Sequence, residues 1–183
     1  MERFSLSPTD ADKAYLKNLA LLSITSRLAG RGATPPPPST ELLERELGAF
    51  VTFKRDGQLR GCIGNIIGQG PLCQTVWDMA QAAAFQDPRF PPLTKAELEG
   101  LEIEISILGP IEPCPDPKLV VVGRHGLIMR QGARQGLLLP QVPMEWGWDR
   151  EQFLAQTCRK AGLPATAWRD PATAIYWFEA VFF

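Results

Sequence analysis

The sequence predicts an α+β fold: a largely antiparallel sheet with helices packed on it. Three observations carry this. Leu101 to Leu108 alternates cleanly, with Leu101, Ile103, Ile105 and Ile107 to one side and Glu102, Glu104 and Ser106 to the other, which is the period of a half-buried strand. Asp56-Gly57 between two apolar runs is a hairpin signal. Hairpins and strand runs outnumber strand-helix-strand units, which points away from a parallel sheet.

In chain order, Ser7-Pro8-Thr9-Asp10 opens a helix, with Ser7 as the cap and Pro8 at the first helical position. Its apolar members Ala14, Leu16, Leu19, Ala20 and Leu22 keep a helical period to about Arg27, and Gly30 and Gly32 end it. Pro35 to Pro38 form a stiff connector within residues 33–39, since four prolines fit neither a helix nor a central strand. Gly48 to Lys54 and Leu59 to Ile66 are the two strands of the hairpin. Pro71-Leu72 begins a second helix, stopped at Asp87-Pro88 because a residue before proline leaves the helical region. Short strands are expected near Leu119–Val122, Gly126–Arg130 and Gly136–Leu139. Asp149 caps a helix that Gly162 closes, and Ala174 to Phe183 is a final strand. Trp146, Trp148, Trp168 and Trp177 are expected to fill the core or a lobe boundary.

The 183 residues suit one domain, and 45% hydrophobic content supplies a packed core. A net charge of −1 and only sparse arginines argue against a nucleic-acid binder. No run is long and apolar enough for a signal peptide or a membrane span, so a cytoplasmic protein is expected. Cys62, Cys73, Cys114 and Cys158 form no Cys-x-x-Cys pair and His125 is the sole histidine. Reduced thiols are therefore expected, with neither a metal site nor a cofactor.

The segment richest in chemistry is Leu59-Arg60-Gly61-Cys62-Ile63-Gly64. Strand alternation puts Arg60 and Cys62 on one face. A guanidinium beside a thiol favours the nucleophilic thiolate, and glycines in a strand mark a bulge or a close approach of backbone or ligand. The same residues also fit a small buried thiol in a tight spot; local sequence leaves both readings open. Asp87-Pro88-Arg89-Phe90 is a rigid polar turn. In it Asp87 either pairs with Arg89 or leaves Arg89 to contact an anion. Glu102 and Glu104 share a face, which admits a general acid at Glu104. His125 has the one ordinary pKa suited to proton transfer near neutrality.

These motifs resemble a known family. Gly48 to Thr52, Leu59 to Gly64, Asp87 to Leu93, Leu101 to Ser106, Gly123 to Leu127, Leu139 to Val142 and Cys158 to Pro164 match, in order, the AMMECR-type domain family, whose bacterial form is called AmmeMemoRadiSam system protein A. The resemblance implies an α+β domain with a larger and a smaller lobe and a cleft near the cysteine motif. As partners it implies a Memo-like protein and a radical SAM protein. It names no settled reaction. On this basis Cys62, Arg60, His125 and Glu104 are the candidate catalytic residues, and Gly61, Gly64, Asp87, Arg89 and Gln141 the candidate ligand or partner contacts. Two functions follow as expectations. One is a modification or redox component with Cys62 as nucleophile or modified residue, activated by Arg60. The other is a non-catalytic adaptor gripping a partner protein.

Overall fold

The computed structural model describes residues 6–183. The chain adopts the α+β class expected, the strand pairs of known register among the described residues being antiparallel, and divides into two compact units. The first comprises the chain up to Leu108 together with Val181–Phe183, and the second Gly109–Ala180.

In the first unit, helix α1 (Asp10–Leu28) is capped by Thr9 rather than Ser7. The Thr9 hydroxyl accepts from the Asp12 amide, and the Asp12 carboxylate accepts from the Thr9 amide at 2.9 Å. That reciprocal pair fixes the start two residues later than a Ser-Pro opening would. The proline run carries no helix or strand, and Tyr15 of α1 donates its hydroxyl to the Pro36 carbonyl at 2.8 Å. A short helix α2 (Glu41–Glu44), which the sequence did not announce, precedes strands β1 (Gly48–Arg55) and β2 (Gln58–Asn65). Asp56 and Gly57 both take positive φ, 51° and 71°, as a tight hairpin turn requires. Helix α3 (Leu72–Phe85) and strand β3 (Leu101–Leu108) complete the unit. The strands run β2-β1-β3. Ala49, Val51, Phe53, Ile105 and Ile107 supply one apolar face. Leu16, Leu19, Ala20 and Ile24 of α1 and Val76, Trp77 and Ala80 of α3 belong to the same core. The buried Ser23 hydroxyl is satisfied by the Trp77 carbonyl at 2.8 Å.

In the second unit, β5 (His125–Gln131) pairs with β6 (Arg134–Leu138) and with β7 (Ala174–Phe182), whose last residues belong to the first unit. The two-residue β4 (Glu112–Pro113) takes the other side of β7. The strand expected near residues 119–122 is instead a 3-10 turn at Pro117–Leu119, because Asp116 accepts from the Lys118 amide and starts a helical turn. Helices α4 (Gln141–Glu145) and α5 (Arg150–Lys160) follow, the latter capped by Asp149 as expected. Leu127, Met129, Phe153, Leu154 and Cys158 form the core. Trp148, Trp168 and Trp177 pack against it, whereas Trp146 stacks on Trp148 and is 70% exposed, against the expectation that it fills a core.

Candidate functional site

Cys62 lies on β2, the outermost strand of the β2-β1-β3 sheet. The hairpin register begins with Arg55 opposite Gln58 and Lys54 opposite Leu59, then slips so that Phe53 faces Gly61 and Thr52 faces Cys62. Arg60 has no partner on β1: it is the extra residue of a β-bulge. A bulge breaks the alternation of faces and re-aims the side chain within it.

That bulge corrects the expected Arg60–Cys62 pair. The Arg60 guanidinium turns to Glu97, donating from Nε at 2.7 Å and from Nη2 at 3.2 Å, and to the Pro91 carbonyl at 2.9 Å. Its side chain is only 11% exposed. Glu97 is thereby held down at a pKa of about 2, with Arg60's hydrogen bond the largest cause and burial opposing it. Its pairing contribution is present above the ordinary carboxylate pKa and is lost as the pH falls toward 2. Arg60 is therefore a fixed part of the wall, not the activator of the thiol.

The arginine at Cys62 is Arg89. Asp87, whose side chain is 1% exposed, accepts from the Cys62 amide (2.9 Å), from Arg89 Nη2 (2.7 Å) and, on its other oxygen, from Arg89 Nε (2.9 Å) and the Arg89 amide (3.1 Å). Arg89 Nη2 also donates to the Cys62 carbonyl at 3.2 Å. One ion pair thus holds both backbone groups of Cys62. Arg89's hydrogen bonds keep the Asp87 pKa far below the usual carboxylate range, against the opposing effect of burial. Arg89 is raised, with the hydrogen bond to Asp87 the largest cause and burial opposing it. Pro88 makes the connection short and stiff, which is why an aspartate and an arginine two apart can form this clamp.

With the Cys62 amide and carbonyl directed away from β1, Thr52 and Cys62 form a non-hydrogen-bonded pair, the kind whose side chains lie closest. The Thr52 hydroxyl donates to Cys62 Sγ at 3.1 Å. On its other side Thr52 faces Glu104, which is ion-paired with Lys54 Nζ at 2.9 Å. Glu104 therefore shares the row Cys62–Thr52–Glu104, two strand spacings from the thiol, about 10 Å. The Cys62 residue is half-buried, as is Cys114, while Cys73 and Cys158 are buried; all four are free thiols.

Neither glycine of the motif opens space for a ligand, contrary to expectation. A Cβ on Gly61 would stand 2.2 Å from the Ala83 carbonyl oxygen, so the space is filled by the backbone of α3. Gly64 lies against the Phe50 ring, 2.3 Å from where its Cβ would be. The close approach signalled by the glycines is real, but it is intramolecular.

His125 and Gln141 belong to the second unit. Gln141 opens α4. His125 is 8% exposed, its ring tilted against Trp177 with centroids 4.4 Å apart, and its Nδ1 accepts the Val121 amide at 3.0 Å. Only a neutral ring can accept there, which makes it a hydrogen-bonding residue of the β5 start rather than a free base. Burial first, then Arg124, hold its pKa below the ordinary value, with Glu179 opposing. A histidine that protonates less readily when folded stabilises fully above about pH 6.5, and that contribution shrinks as the pH falls below it. Thermal melts should show the wild type losing Tm between pH 7 and pH 5 more steeply than His125→Gln.

Thr52 and Glu97 were not singled out from the sequence. Thr52 was hidden because the two-residue turn alone sets Thr52 opposite Gly61, and only the bulge moves it to Cys62. Glu97 carried a signal, since Thr94-x-x-Glu97 is a capping box, and the structure forms it. Among the described residues no cluster of three or more His, Cys, Asp or Glu side chains is placed to hold a metal ion. None of the described helices is long and apolar enough to cross a membrane.

The AMMECR1 family pattern matches residues 17–183. The chain belongs to the AMMECR1 family. It is similar to a protein of Thermococcus gammatolerans, 47% identical over 84% of this chain and 80% of that one. A Thermococcus kodakarensis protein is 45% identical over 92% of this chain and 88% of its own length. The crystal structure of an uncharacterized Pyrococcus horikoshii protein superposes with a TM-score of 0.83 at 42% identity, covering 92% of this chain and 88% of that one. The α+β architecture is thus shared with an AMMECR1-type relative whose structure is known.

Proposed function

We propose that this AMMECR1-type chain is a component of a modification or redox system in which Cys62 is the nucleophile or the residue modified. The observation that carries the reading is the clamp. Asp87 and Arg89 hold both backbone groups of Cys62, a half-buried residue whose sulfur lies beside the Thr52 hydroxyl. A hydroxyl donor and a nearby guanidinium are the groups that hold a thiolate, and a fixed backbone orients it. In a transfer step the thiol gives up its proton to solvent, its sulfur bonds to an electrophilic carbon, and the group previously on that carbon leaves with the bonding electrons. Arg89 takes the electrostatic role first assigned to Arg60. The partners in this reading are the Memo-like and radical SAM proteins that the family resemblance implies, acting in the cytoplasm.

Iodoacetamide labelling of the folded protein across pH 6–9, read by peptide mass spectrometry, tests it. Cys62 should label at least about tenfold faster than the buried Cys73 and Cys158, and Arg89→Ala should slow it at neutral pH. Labelling of Cys62 only in denaturant would overturn the reading.

A non-catalytic adaptor is the second reading. It is favoured by Leu119, Val121, Met144 and Trp146, four large apolar side chains of the second unit that are each at least half exposed. An adaptor would hold its partner unchanged after Cys62→Ser.

A further inference from the structure

The turn after α3 uses only part of its arginine. The side-chain hydrogen bonds of Arg89 leave from Nε and Nη2, to Asp87 and to the Cys62 carbonyl. Among the described residues Nη1 donates to no partner. The Asp87 side chain is 1% exposed and that of Arg89 54%. The negative end of the pair is thus sealed inside the turn, and the positive end meets solvent next to Cys62. The guanidinium carbon lies 5.6 Å from the centre of the Phe90 ring, a contact that steadies its plane. Period two puts Gly64 and Phe50, which face each other, on the same side of the sheet as Cys62 and Thr52. The Phe50 ring fills the place a Gly64 side chain would take, so it lies across β2 one row from the thiol. Of the other charges near Cys62, Lys54 and Glu104 answer each other at 2.9 Å, and Arg60 answers Glu97 at 2.7 Å. Glu102 stands on β3, two strands and one row away.

We propose that Cys62 takes a small electrophile that carries a carboxylate, and that Arg89 Nη1 holds this carboxylate. The proposal rests on the reading of Cys62 as a nucleophile and names the class of molecule it attacks. The carboxylate accepts from Nη1 at the outer edge of β2, the apolar body lies against Phe50, and the electrophilic carbon stands over the sulfur. The thiol proton goes to solvent and the Sγ–C bond forms. The group previously on that carbon leaves with its bonding electrons. A charge-assisted hydrogen bond to the anion supplies binding, and the fixed turn behind it supplies orientation. A single charge suits the site better than a dianion such as phosphate. Asp87 already balances Arg89, and one nitrogen of the guanidinium is left to donate. A neutral or cationic electrophile of the same size gains nothing from Nη1.

Iodoacetate and iodoacetamide differ in charge at nearly equal size, and both transfer their carbon to a thiolate with loss of iodide. Their rates at Cys62 of the full chain are measured at neutral pH and low salt by peptide mass spectrometry. The ratio of the two rates is compared with the ratio at the same cysteine in urea. Thiolate population cancels in this ratio, so it reports the anion contact and not activation of the sulfur. Folding should raise the iodoacetate-to-iodoacetamide ratio at least about fivefold, a figure held down by the exposure of Arg89. Arg89→Gln should return the ratio to its value in urea, whereas Lys54→Gln should stay within about twofold of wild type. The wild-type ratio needs no variant, so the test stands even if Arg89→Gln folds poorly. An unchanged ratio with brisk iodoacetamide labelling overturns this proposal and leaves the thiol reading in place. Labelling by neither reagent in the folded chain overturns both. A raised ratio that survives Arg89→Gln, or that Lys54→Gln abolishes, overturns the assignment to Arg89.

Discussion

Gly61→Ala should lower stability by about 3 kcal/mol, reducing Tm by about 6–12 °C for a chain of this length. Replacing a strand glycine with alanine ordinarily gains stability, about 0.5–1 kcal/mol, because the unfolded chain has less freedom to lose. Here the added methyl meets the Ala83 carbonyl oxygen at 2.2 Å. That atom belongs to the backbone in the last turn of α3, whose Ala83 and Ala84 are core residues. Relief requires moving the helix end or the edge strand, and close-packed interiors yield little. Gly32→Ala is the internal comparison. Nothing lies within 4 Å of where its methyl would be and its φ is not positive, so a change of no more than about 1 kcal/mol, toward higher stability, is expected. Urea unfolding of both variants measures the difference, and equal losses would refute the backbone argument.

Asp87→Ala is expected to lower stability by about 2–3 kcal/mol and to make Cys62 labelling less selective. The substitution strands the Cys62 amide, frees Arg89 and loosens the turn after α3. The figure is held down because Arg89 is 54% exposed and finds water when released. The pH dependence has a definite sign. The native Asp87 carboxyl is more acidic than the unfolded one, so its contribution is complete above about pH 4 and declines as the pH falls below that. Melts of wild type and Asp87→Asn at pH 7 and pH 3 should converge on the acid side. A constant gap between them would place the role of Asp87 outside this ion pair.

Most of the fold is legible in the sequence wherever a period repeats. The eight-residue alternation of β3 and the Asp56-Gly57 hairpin lie where expected, as does the second long helix between Pro71 and the Asp87-Pro88 stop. The failures are local and share a cause: competition among short-range hydrogen bonds that composition does not rank. Thr9 rather than Ser7 caps α1 because Asp12 can answer it. Residues 117–119 turn because Asp116 captures the next amide but one. The site failed more instructively. Cys62, Asp87 and Arg89 are each singled out by the sequence and the structure brings them together, but alternation carried through a bulge gives Arg60 the wrong neighbour. One unpaired residue in a strand reassigns every face beyond it, and nothing in Leu59 to Gly64 states on which side of Gly61 it falls.

The clamp on Cys62 also governs what can approach it. An outer strand normally invites any extended polypeptide through its bare peptide groups. At this position those groups are already taken by Asp87 and Arg89. A visitor to this rim finds no peptide ladder to join at Cys62, and is admitted on what its own reactive atoms offer a sulfur.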